Sequence, residues 1–137
     1  MYVIFGNEIV DSEEIKELIK DNSDFIVETD MSKATKREDV IAYRLSICID
    51  TLKQYIEEDF GLESIDDEEL FDELMSMADE TAMELEEVMP PESIINARAY
   101  KWDNSDDAIK VIIAICNEEL GELKLADVTK RLLSQID

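Results

Sequence analysis

The residues best equipped for chemistry in this chain are carboxylates, and they are unevenly spaced. Between Lys53 and Arg98 there is no Lys or Arg, while 16 acids occur. Eleven of these fall in one stretch of helical periodicity: Asp66, Asp67, Glu68, Glu69, Asp72, Glu73, Asp79, Glu80, Glu84, Glu86 and Glu87. A helix over 66–87 would be roughly 33 Å long at ~1.5 Å per residue. It would carry about one negative charge per 3 Å of axis, and one DNA strand places a phosphate about every 3.4 Å. Glu57, Glu58 and Asp59 would extend the row, and Glu118 with Glu119 forms a further acidic pair. The chemistry this offers is recognition by a cationic cleft. The competing reading is a solvated face kept for solubility. Like charges at i,i+4, such as Glu69–Glu73 and Glu80–Glu84, cost a few tenths of a kcal/mol each, and a helix built for stability would interleave lysines.

Catalytic alternatives are thin. There is no histidine, which removes the usual base near neutral pH, the Ser–His and Cys–His pairs, and ordinary zinc sites. No glycine-rich phosphate loop is present. The run Asp103-Asn104-Ser105-Asp106-Asp107 has Ala108 and Ala114 where a calcium loop needs Gly and Glu. Glu69 with Asp72 and Glu119 with Glu122 have the spacing of helical Mg²⁺-binding pairs, as in the all-helical nucleotide pyrophosphohydrolases. Such pairs arise by chance with 36 acids in 137 residues, and their order is reversed from that family. A Mg²⁺-dependent hydrolase therefore ranks last, and no catalytic residue, cofactor or metal is expected. Cys48 and Cys116 sit in apolar runs and read as buried, reduced thiols. Among the methionines, Met75 and Met77 read as core, and Met83 reads as exposed on the acidic side and available to a partner.

The elements that must position these carboxylates follow from periodicity. Tyr2–Phe5, Gly6-Asn7 and Glu8–Val10 predict a β-hairpin. Ser12 predicts the N-cap of a helix to about Lys20, and Phe25–Val27 a third strand. Ile41, Leu45, Cys48, Leu52 and Ile56 recur at steps of three and four and predict a helix from about Lys36 to Gly61. A second long helix runs from about Asp66 to Met89, stopped by Pro90-Pro91. Residues 91–102 predict a third helix, with a strand as the alternative. Ala108–Leu120 predicts a buried central helix, although Val111-Ile112-Ile113 also suits a core strand. A last helix follows Gly121. The expected fold is α+β but predominantly α: a small unit over 1–30, then a bundle of four to five helices over 36–137, in a single domain.

Composition sets the outer limits. A net charge of −23, from 36 acids against 13 bases, excludes a basic groove for phosphates and disfavours anionic membranes. The start of the chain lacks the pattern of a secretory leader, and no apolar run is long enough to span a bilayer, so a cytoplasmic protein is expected.

From about residue 50 onward the chain resembles the phage anti-restriction DNA mimics of the Ocr family. The resembling stretches are Leu52-Lys53 with Ile56, then Glu68–Asp72 with Ala78-Asp79, then Asp107–Ile112 with Ala114 and Glu118–Leu120. Residues 1–30 have no counterpart, and the very acidic tail of that family is missing. The resemblance implies a helical, dimeric inhibitor that fills the DNA-binding cleft of a restriction or other DNA-binding enzyme, with Glu68, Glu69, Asp72, Asp79, Glu118 and Glu119 in the contact. The leading expectation is thus an acidic DNA mimic, encoded by a phage or mobile element and acting in a bacterial host. Its partner would be a basic protein surface, with no direct nucleic acid and no membrane. An acidic immunity protein or effector chaperone, binding one toxin, is the alternative.

Overall fold

The computed structural model describes residues 1–59 and 66–136. In order these are β1 (Tyr2–Phe5), β2 (Glu8–Asp11), α1 (Ser12–Asn22), β3 (Ile26–Asp30), a 3-10 turn at Lys33–Thr35, β4 (Val40–Cys48) and α2 (Ile49–Asp59). Then come α3 (Asp67–Glu84), a 3-10 turn at Leu85–Val88, β5 (Ser93–Asp103), β6 (Ala108–Asn117) and α4 (Glu122–Leu133). The centre is an antiparallel sheet in the order β3-β4-β6-β5, with β1 and β2 as a separate hairpin.

This overturns the expected helical bundle. Residues 40–48 are a strand, so the helix expected from Lys36 begins only at Ile49; its expected end at Gly61 lies outside the described residues. Residues 93–103 and 108–117 are strands as well, not helices. The cause is burial on both faces. Ile41, Tyr43, Leu45 and Ile47 on β4, with Ile109, Val111, Ile113 and Ile115 on β6, pack with α1, α2, α3 and the hairpin. Val40, Ala42, Ile112, Ala114 and Cys116 pack on the other face against Leu125, Val128 and Leu132 of α4. A strand covered on both sides is apolar throughout and loses its two-residue alternation, so steps of three and four appear in it by accident.

The other elements form where local chemistry places them. Gly6, at φ +60°, makes the hairpin turn against the Asn117 side chain. The cap of α1 is Asp11 rather than Ser12: its carboxylate accepts the Glu13 N–H at 3.1 Å. Ser12 is the first helical residue, buried, and its hydroxyl donates to Asp30 at 2.8 Å. Asp66 caps α3 by accepting the Glu69 N–H at 2.8 Å. Among the described residues no helix is long and apolar enough to cross a membrane.

Cys116 is buried beneath α4, and burial, with the nearby Asp39 carboxylate, pushes its thiol up to about 12. Cys48 is exposed, contrary to expectation. It shares the sheet face of Arg44 and Ser46, at the end that the α4 core does not reach.

Candidate protein-binding face

Helix α3 buries Leu74, Met77, Ala78 and Ala82 toward the sheet. At ~100° per residue, Glu68, Glu69, Asp72, Glu73, Glu80 and Glu84 fall within roughly 160° of arc on the opposite side, and all six are exposed. Asp66 and Asp67, at the start of the helix, and Glu87, in the turn after it, are also exposed. The ion pairs found among the described residues use Asp11, Glu17, Glu28, Asp39, Asp103 and Asp106, and none uses an acid between 57 and 87. The outward stripe is therefore free of the chain's own lysines and arginines.

Two acids of the stretch do other work. Asp79 is half-buried and accepts the Ala99 N–H at 2.6 Å. Burial raises its pKa, opposed by that hydrogen bond and by the charge of Arg98. Glu86 accepts the Ile95 N–H at 3.4 Å. Because β5 is an edge strand, its outward amides need partners, and these two carboxylates supply two of them.

A cleft of about 620 Å³ opens where the end of α1 meets α2, α3 and the turn after α3. Asp21, Asp24, Glu58, Glu84 and Glu87 line it, with no Lys or Arg, above Met77, Leu85 and Val88. The Tyr55 hydroxyl there donates to Asp24. Burial, that hydrogen bond, and the charges of Asp24, Glu58 and Glu84 push its pKa up to about 12. Asp21, Asp24 and Tyr55 were not expected in the site; only tertiary packing brings them to the end of α3, and no local spacing signals it.

Of the remaining predicted residues, Glu57 is exposed on α2, and the Asp59 side chain lies outside the described residues. Glu118 and Glu119 are exposed in the turn after β6. The Glu118 N–H donates to the Glu92 carbonyl at 2.7 Å, which ties this turn to the segment following α3. Glu119 instead lines a small groove with Ile4, Gly6 and Leu120 on the hairpin side. Glu119 precedes α4 and Glu122 is its first residue, so they do not form a helical pair. Among the described residues no group of three or more His, Cys, Asp or Glu is arranged to hold a metal ion.

The placement of these charges opposes helix stability. Negative side chains are favourable at a helix N-terminus and unfavourable at its C-terminus. Asp67, Glu68 and Glu69 obey this at the start of α3, but Glu57 and Glu58 near the end of α2 and Glu84 at the end of α3 defy it, with no base in either last turn. Bases gather elsewhere: Lys33 and Lys36 lie on the 3-10 segment that packs with α4, and Lys124, Lys130 and Arg131 lie on α4 itself. Arg131 reaches across to the Thr35 carbonyl at 2.9 Å. Since α3 and α4 cover opposite sheet faces, the α3 stripe and these bases lie on opposite sides of the sheet, while Lys16, Lys20 and Lys53 on α1 and α2 share the side of α3.

Comparison with family models, with curated proteins and with solved structures finds no match to this chain.

Proposed function

We propose that the chain is an acidic DNA mimic, an inhibitor whose α3 face occupies the basic DNA-binding cleft of a restriction, CRISPR or other DNA-binding enzyme in a bacterial cytoplasm. One observation carries the reading: an outward stripe of carboxylates along α3 that no internal base neutralises. Charges left unpaired, and set against the helix dipole at two C-termini, lower stability, so a role outside the fold accounts for them best. Binding of this kind uses no catalytic residue. It is steered by the field of the acidic face and weakens steeply with salt.

The test is capture from bacterial lysate on the immobilised chain. The expected catch is a set of DNA-binding enzymes, released by salt and by duplex DNA. A catch that duplex DNA fails to displace would reject the reading.

The hairpin favours a second reading. Tyr2, Ile4 and Ile9 are 75 %, 47 % and 72 % exposed on its outer side, an apolar patch of the sort that marks protein interfaces. An acidic immunity protein or effector chaperone would hold its partner there. Replacing Tyr2 and Ile9 with Ser would then abolish capture, whereas a mimic bound through α3 is unaffected.

A further inference from the structure

The acidic face ends in a groove that is not purely electrostatic. At the C-terminal end of α3, a depression of about 580 Å³ takes its apolar lining from Met83, Met89, Pro90 and Pro91. Met83 is 40 % exposed, although the helix has a buried side on which a methionine could sit, while Met89 belongs to the main core and shows only its edge at the groove. Carboxylates of Glu84, Glu87 and Glu92 surround this lining, and Glu84 and Glu87 also line the acidic cleft on the other flank. No Lys or Arg lines either cavity.

We infer that this groove docks a protein segment in which an apolar side chain is flanked by arginines or lysines, the apolar group resting on Met83 and Met89 and the cations meeting the glutamates. Charge complementarity selects the basic flanks. The unbranched, polarizable methionines supply a surface that adapts to different apolar groups. The inference rests on the proposed function for the sign of the partner's charge, and it adds an anchor that DNA itself lacks. Contact through carboxylates alone fades with salt, whereas the apolar anchor persists.

The full chain, labelled with ¹³C at its methionine methyls, would be titrated at high salt with two peptides of equal charge. One alternates arginine with leucine, and the other alternates arginine with serine. The leucine peptide should shift the Met83 and Met89 signals, with at least about fivefold tighter binding than the serine peptide. Met31, buried in the separate core under α4, should stay still. Met83→Gln, at an exposed position, should bring the two affinities together without altering that for the serine peptide. Equal affinities for the wild-type chain, shifts confined to other methionines, or no shift would overturn the inference. Failure of duplex DNA to displace a captured enzyme would reject the mimic and leave the methyl result intact.

Discussion

The carboxylate of Asp79 accepts the backbone N–H of Ala99 at 2.6 Å, joining the outer helix to the edge strand beneath it. With Glu86 at the Ile95 N–H, it occupies two amides of a strand edge that would otherwise be offered to other chains. The acidic stretch therefore contains two kinds of carboxylate, one holding α3 to the sheet and one facing outward. Substitutions should separate them.

Asp79→Ala leaves the Ala99 N–H without its acceptor and should cost about 1–3 kcal/mol. Asp79→Asn keeps an acceptor oxygen and removes a charge that burial disfavours. Because the folded pKa is raised, the ionised form is a penalty above that pKa, relieved as pH falls through it. Thermal melts should show Asp79→Asn at least as stable as wild type at neutral pH, with any advantage vanishing below the carboxylate range.

Lys110 is 7 % exposed in its side chain, bonded to Glu28 and, at 2.7 Å, to Asp106. Burial lowers its pKa, but the hydrogen bonds to Asp106 and Glu28 and their charges outweigh this and raise it above the ordinary 10.5. Its stabilisation is therefore complete below about pH 10.5 and is lost as pH rises through the folded pKa. Lys110→Ala should destabilise the fold by about 1–3 kcal/mol, by leaving the half-buried Glu28 with Arg44 as its remaining cationic partner. Urea denaturation of the variant, and of wild type above pH 10.5, checks both.

Phe71, 42 % exposed on α3, stacks on Trp102 of β5 with ring centroids 6.1 Å apart and planes 11° from parallel. Trp102 is the only tryptophan, so its fluorescence reports on this end of the acidic face. Phe71→Ala should red-shift the emission and cost about 1 kcal/mol in stability. A partner bound along α3 should change the wild-type spectrum.

Self-repulsion among unpaired carboxylates should make stability rise with salt, opposite to the trend for target binding. A melting temperature that climbs from low to physiological ionic strength is the expected outcome. Replacing Glu80 and Glu84 with Gln, which removes an i,i+4 repulsion and a charge set against the helix dipole, should raise the melting temperature at low salt.

What could be read in advance follows from how each segment is covered. Helix α3 has one buried side, and its repeat through Leu74, Met77, Ala78 and Ala82 was legible, as was the hairpin from its Gly6-Asn7 turn; that Val3 and Phe5 face inward while Tyr2 and Ile4 face out was not, because all four are apolar. In β6 every residue from Ala108 to Cys116 is buried, so its period carries no information. In β4, Ile41 and Leu45 share a face at a spacing of four, which a strand satisfies as well as a helix does. Charge segregation along the chain was visible as a gap in Lys and Arg. That Asp79 and Glu86 bond to β5, or that Asp24 meets Tyr55, depends on contacts between segments distant in the chain.

DNA mimicry by α3 is decided on an enzyme captured from lysate, by measuring how wild type and a Glu69→Lys, Asp72→Lys, Glu73→Lys variant compete with duplex DNA for it. All three residues are exposed and outside the core, so circular dichroism should match wild type. Wild type should displace the DNA, and the folded triple variant should not. Displacement by the variant at wild-type concentrations would contradict mimicry by α3.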